Sequence, residues 1–316
     1  MQSAEEPSAP PVQRVLVYDR IGANKRATVL LFAGFFALFG VLGTLVVLGL
    51  RLPIGILGIF GVVLIIYALF SYFSSTSVVL SISGAHEVTK DEEWEFVRRV
   101  ENLSIGAGLP MPRTWVLEDS APNAFATGTN PKHAHVVVTR GILDKLEPIE
   151  LEGVLAHELS HIGNYDIRVM TIVTVLVGVI ALVSDLALRA TIFGAGSRRR
   201  GSGRDSGGGG LQLIFLGLAI VAMILAPIVA VAIQFAISRR REFLADASGA
   251  LLSRNPEALA RALEKIRDDK EPLEAANKAT AHLYIANPLK EHASKLNNLF
   301  DTHPDIDERI RILRGL

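Results

Sequence analysis

Two hydrophobic textures alternate along the chain. From Thr28 to Leu50 the sequence is almost wholly apolar, and after "RLP" (51–53) a second apolar run, Ile54 to Phe73, turns back. As a helix the first would be roughly 34 Å long, against about 30 Å of hydrocarbon in a bilayer. A second pair follows, Ile167 to about Phe193 and Leu211 to Ser238, joined by "GAGSRRRGSGRDSGGGG" (194–210). That connection has a flexible, non-packing composition. The pattern predicts two membrane hairpins, hence about four transmembrane helices in a polytopic protein.

The remaining sequence has the mixed periodicity of a globular domain. "DEEWEFVRRVENLSIGAG" (91–108) predicts an amphipathic helix with Trp94, Val97, Val100 and Leu103 or Ile105 inward, closed by glycine. "RTWVLE" (113–118), "NAFATG" (123–128) and "HVVVT" (135–139) read as strands. "EPIELEGVLAHELSHIGN" (147–164) is a helix with Pro148 in its first turn. Asn255 and Pro256 open another, and a last helix follows "THP" (302–304). The expected fold is mainly α with a small β-sheet. Its organisation reads as a polar N-terminal tail (1–27), a first hairpin (28–73), a globular part (74–166), a second hairpin (167–238) and a second globular part (239–316).

Composition narrows the chemistry. Half of the residues are hydrophobic and the formal net charge is zero, so no global field argues for a nucleic-acid partner. There is no cysteine, so a metal would have to be held by histidine and carboxylate. No small-residue cleavage pattern ends the first apolar run, which reads as a retained anchor. Arg14, Arg20, Lys25 and Arg26 before that run, and Arg239 to Arg241 after the fourth, put both ends in the cytoplasm. The arginines at 198–200 and 204 argue the other way. The first helix usually dominates, which makes this a multi-pass plasma or inner-membrane protein with its globular parts on the cytoplasmic side.

Candidate chemistry lies in "HELSH" (157–161). His157 and His161 are four apart on one helix face and can share one tetrahedral ion, with Glu158 able to reach a metal-bound water. The bland alternative is two helix histidines with no ion. A catalytic zinc uses three protein ligands, and "REFLADA" (241–247) offers Glu242 as the third. Asp246, one turn on, could accept a hydrogen bond from a ligand histidine. An E-x-x-x-D pair alone is common on solvated helices. Topology adds weight: two crossings separate the ligand groups and return Glu242 to the side of the histidines.

The chain resembles the HtpX-like membrane zinc metalloproteases, relatives of the CAAX prenyl endoproteases within the gluzincins. The resemblance rests on "GLPMPRTWV" (108–116), "APNAFATG" (121–128), "VVVTRGILDKL" (136–146), "LEGVLAHELSHIGNYD" (151–166), "RRREFLADASGA" (239–250) and "THPDIDERI" (302–310). It implies a gluzincin-type protease domain with one zinc per chain on His157, His161 and Glu242, and Glu158 as catalytic base. It also implies that His303 and Arg309 lie near the substrate carbonyl and that Asn123, Ala124, Phe125 and Ala126 form a substrate-binding edge strand. The expected substrates are proteins, unfolded or membrane-embedded, cut in membrane-protein quality control, with membrane lipid around the enzyme and no nucleic acid. Rival readings are an inactive membrane scaffold and a zinc hydrolase of lipidated peptides. The other histidines, His135 and His282 among them, read as surface or strand-end residues.

Overall fold

The apolar runs become helices longer than themselves. A computed structural model describes residues 17–49, 53–176, 217, 239–276, 280–286, 288 and 304–316. Helix α1 (Val17–Gly49) begins well before Thr28, so Asn24 and Lys25, read from sequence as tail, lie on it. Helix α2 (Ile56–Ser83) runs on past Phe73. Its 28 residues span roughly 42 Å, more than a bilayer's hydrocarbon. The excess is used for packing: Val79 and Leu80 are buried against the globular part. Higher up, Ile59, Ile66, Phe70 and Phe73 stay more than half exposed. Both α1 and α2 contain a stretch long and apolar enough to cross a membrane, and so continuous an apolar surface suits hydrocarbon rather than water. The third apolar segment is helical over residues 166–176, where Ile172 and Leu176 pack on Phe35 of α1. Its remainder, nearly all of the fourth segment and the 194–210 connection lie outside the described residues. Two candidate spans, not four, are therefore found among the described residues.

The predicted strands form a four-stranded sheet, with β1 (His86–Glu87), β2 (Arg113–Leu117), β3 (Ala124–Gly128) and β4 (Ala134–Thr139) in the order β1-β2-β4-β3. β2 and β4 run parallel, while β1 and β3 pair antiparallel on either side. Because side chains alternate along a strand, the sheet offers two apolar faces. Val116, Val136, Val138, Ala124 and Ala126 join the main core. Leu117, Val137 and Phe125 face the end of α2 and Tyr284.

Helices α3 (Trp94–Ala107), α4 (Arg140–Lys145) and α5 (Pro148–Gly163) follow, then α6 (Arg239–Ser253), α7 (Pro256–Asp268) and α8 (Ile306–Leu313). On α3 Val97 and Val100 are buried and Leu103 packs on the core as expected, joined by Phe96 and Ser104, whereas Trp94 is exposed. Lys90 and Arg98 lie over its ring, 5.0 and 5.1 Å from the centroid, in cation–π contact. Ile105 is exposed too.

Helix α5 lies at the centre, with its apolar residues buried between sheet, α6 and α7. It starts firmly, since the Glu150 carboxylate accepts the Glu147 backbone N–H at 2.8 Å, as in a capping box. Two glycines set its distance from its neighbours. A Cβ on Gly153 would lie 2.8 Å from the Leu259 backbone nitrogen of α7, and one on Gly249 of α6 would lie 2.8 Å from that of His157. Close approach of α6 to α5 at His157 is what brings the two candidate ligand groups together.

Candidate metal centre

His157 and His161 project from one face of α5, one turn apart, and Glu242 reaches them from the first turn of α6. The two Nε2 atoms are 3.2 Å apart. Glu242 completes a triangle, its oxygens 3.7 Å from His157 Nε2 and 3.6 Å from His161 Nε2. Bonds of about 2.0–2.1 Å in a tetrahedral zinc site place ligand atoms roughly 3.3 Å apart, so the triangle fits such an ion. Among the described residues these three form a group able to hold a metal, and all are buried.

Each imidazole is oriented from behind by a carboxylate. His157 Nδ1–H donates to Asp246 Oδ1 at 2.9 Å, and His161 Nδ1–H to Asp166 Oδ2 at 3.1 Å. A carboxylate can only accept, so each Nδ1 carries a proton and Nε2 is the ring nitrogen that faces the triangle. Asp166 was missed from sequence. It lies five residues beyond His161, past the end of α5 and past Tyr165, whose φ of 62° is left-handed. Helical periodicity does not carry across such a turn. The available signal was "NYD", a polar triplet closing a helix just before a hydrophobic run.

The charges around the triangle favour a cation. Glu158, Glu242, Asp166 and Asp246 are all buried, against the guanidiniums of Arg309 and Arg241. Four buried acidic side chains face two arginines, an excess of acidic groups that a cation at the triangle would offset. Burial opposes a charged His161 ring, yet Glu242 and Asp166 raise its pKa to about 9. Burial lowers that of His157, Asp246 countering and Arg309 adding to the effect. Asp246 is held down at about 2 despite its burial, because Arg309 and His157 stabilise the anion.

Glu158 is buried on the adjoining face of α5, and burial, reinforced by Glu242, pushes its carboxyl up to about 7. The Ala126 backbone amide of β3 opposes that rise. A carboxyl near neutrality beside a metal triangle is able both to take and to give a proton.

Arg309, on α8, is fully buried behind the ligands. Its Nε and Nη2 donate to the two Asp246 oxygens at 2.9 and 2.7 Å, and Nη1 donates to the Ile285 carbonyl at 2.7 Å. Its Nη1 is also 3.7 Å from Glu242. His303 lies outside the described residues.

Asn123, Ala124, Phe125 and Ala126 are buried at the sheet edge, over α5. In the antiparallel ladder alternate residues bond the neighbouring strand, and Thr139 N donates to Asn123 O. Ala124, Ala126 and Gly128 therefore turn their backbone groups outward. Ile285 N donates to Ala124 O at 2.9 Å, and Gly128 N to Thr171 Oγ1 at 3.1 Å. The Asn123 side chain donates to Ala286 O at 3.1 Å. His282, expected at the surface, is buried instead, with Nε2 3.0 Å from Thr174 Oγ1. His135 is also more than a strand-end residue, its Nδ1 accepting from Trp115 Nε1 at 2.9 Å.

A helix-borne His-Glu-His motif with a carboxylate from a second helix, set beneath a sheet edge, is the centre of a metallopeptidase. The sequence profile of Peptidase family M48 matches residues 90–316. The chain is 46% identical over 304 residues to a "Protease HtpX homolog" from Leuconostoc citreum (strain KM20), covering 95% of this chain and all of that protein. It is 45% identical over 300 residues to one from Dictyoglomus thermophilum (strain ATCC 35947 / DSM 3960 / H-6-12), covering 94% of each. The chain belongs to peptidase family M48, among the HtpX-like proteases. A crystal structure of S. mikatae Ste24p shares its fold, with a TM-score of 0.50 at 19% identity over 93% of this chain and 67% of that one.

Proposed function

We propose that this metallopeptidase is a membrane-integrated, zinc-dependent endopeptidase that cuts unfolded or misassembled membrane proteins on the cytoplasmic side. The observation that carries the proposal is the ligand triangle with Glu158 buried beside it. The exposed apolar flanks of α1 and α2, continuous with a globular part that packs on the end of α2, support the membrane setting. No cysteine is available, and two imidazoles with one carboxylate are a donor set zinc accepts.

Held by His157, His161 and Glu242, zinc would supply Lewis acidity toward water and the scissile carbonyl. Glu158 removes a proton from the attacking water as its oxygen bonds to the carbonyl carbon. It then delivers that proton to the nitrogen as the C–N bond breaks, leaving a carboxylic acid and an amine, which exchange the remaining proton to become carboxylate and ammonium. Asp246 and Asp166 keep both imidazoles in the tautomer that presents Nε2. Arg309 stabilises Asp246 and adds positive charge behind the ligands, and His303 serves the carbonyl oxygen. An extended substrate pairs with the outward groups of Ala124 and Ala126, taking the place of the Ile285 amide. Pairing through the main chain selects for unfolded segments rather than for a sequence.

Casein cleavage by detergent-purified protein tests this reading. Glu158→Gln is expected to lose on the order of 10²–10⁴-fold in activity while binding zinc normally. Glu242→Ala is expected to lose both zinc and cleavage. Equal cleavage by all three forms would overturn the reading, and cleavage confined to lipidated peptides would move it to the other hydrolase class.

A further inference from the structure

Asn24 belongs to α1, the first apolar helix, yet its buried side chain reaches the metal centre. Its Nδ2 donates to Asp166 Oδ1 at 2.7 Å and to the Asn164 carbonyl at 2.8 Å. A side-chain amide has two N–H donors, so both are engaged. Asp166 is thereby used from two sides, Oδ2 on His161 and Oδ1 on Asn24, with Arg241 Nε 3.6 Å from Oδ1. Asn164 is the residue that ends α5, and Tyr165 follows in its left-handed conformation. Beside Asn24, Lys25 lies over the Tyr165 ring, 5.3 Å from its centroid. The start of α1 thus clasps the turn that carries Asp166 away from the ligand helix.

We propose that Asn24 is a positioning residue for the metal centre, acting through Asp166 on His161, so that the first apolar helix is a working part of the site and not only an anchor. The inference rests on the reading that His157, His161 and Glu242 bind a metal. The described contacts to the Asp166 carboxylate are the hydrogen bonds from His161 and Asn24 and an ion pair with Arg241. Of the two groups on Oδ1, Asn24 at 2.7 Å is the directional hydrogen bond, and Arg241 Nε at 3.6 Å is an ionic contact. A carboxylate free to rotate would leave the His161 tautomer unfixed, and partners of this kind are commonly worth 10- to 100-fold in metal affinity.

The experiment is a double-mutant cycle on the full chain in detergent, with Asn24→Leu, Asp166→Ala and the pair. Leucine approximates the shape of asparagine without its donors. Zn²⁺ affinity is read by competition with a chromophoric chelator, the Co²⁺ form by its visible ligand-field bands, and folding by thermal unfolding. Thr28→Val is the control, since Thr28 Oγ1 bonds only back to the Asn24 carbonyl among the described contacts. Asn24→Leu is expected to weaken Zn²⁺ roughly 10-fold and shift the Co²⁺ bands. It should add little once Asp166 is alanine, and Thr28→Val should change neither readout. If Asn24→Leu is poorly folded, Asn24→Ala takes its place in the same cycle. Unchanged affinity and bands in a folded Asn24 variant would overturn the inference, as would an equal loss with and without Asp166. Wild-type protein that binds neither ion would overturn the metal reading itself.

Discussion

His157 and His161 make the same demand on the fold and are answered by different parts of it. Behind His157 stands Asp246, locked by a two-pronged bond from Arg309, with every group inside the globular core. Behind His161 stands Asp166, on the turn leading out toward the third apolar segment, held by Asn24 of the first apolar helix. The first is a two-pronged ion pair sealed from water; the second joins Asp166 to the neutral amide of Asn24, 142 residues away in the chain, with Arg241 as a looser ionic partner at 3.6 Å. A buried ion pair becomes a liability when one partner is removed, whereas a lost amide–carboxylate bond costs less. The His157 side should therefore couple the metal to global stability, and the His161 side should couple it to the seating of the apolar helices.

Removing Asp246 should have the largest effect. Asp246→Ala leaves Arg309 buried without its main partner and is expected to destabilise the fold by about 3–5 kcal/mol, measured by denaturant unfolding. Replacing the pair together, Asp246→Leu with Arg309→Met, should recover much of that loss while metal binding stays impaired. Next comes Gly249→Ala on the same side. The new methyl would meet the His157 backbone at 2.8 Å, and about 1–3 kcal/mol of stability should be lost as α6 is pushed off α5. Asp166→Ala breaks the comparison if the two sides are equivalent. It is expected to cost about 1–3 kcal/mol in stability and 10- to 100-fold in Zn²⁺ affinity.

The smallest effect concerns an imidazole with no carboxylate behind it. His135 accepts from Trp115 Nε1, and burial, with Arg113 and His133 adding, lowers its pKa from 6.5 to about 4. Its folded form binds fewer protons than its unfolded form between those values, so this contribution to stability is present above pH 6.5 and falls as pH drops toward 4. His135→Asn keeps an acceptor without a titration and should flatten the dependence of the unfolding midpoint between pH 7 and 5. A dependence left unchanged would assign it to other groups.

The parts legible in sequence are those that obey a local period. The histidine spacing, the strands at 113–118, 123–128 and 135–139, and the caps at Pro148 and Asn255 each follow from a few neighbouring residues. The ligand triangle also needed the argument that two crossings return the chain to one side. Asp166 and Asn24 were not legible, because each is a single polar residue whose meaning depends on a partner elsewhere in the fold. On α3 the period places Val97 and Val100 in the core, but Trp94 is the first residue of the helix and stays exposed. The burial of His282 depended on Thr174, far away in the chain, and no spacing rule joins them.

The central claim is that two imidazoles and one carboxylate hold a single ion. X-ray absorption at the zinc edge of the purified full chain tests it most directly. The expected result is a four-coordinate shell with two imidazole nitrogens near 2.0 Å and the rest oxygen, changed when Glu242 is alanine. A six-oxygen shell, an imidazole count other than two, or a spectrum unchanged by Glu242→Ala would contradict it.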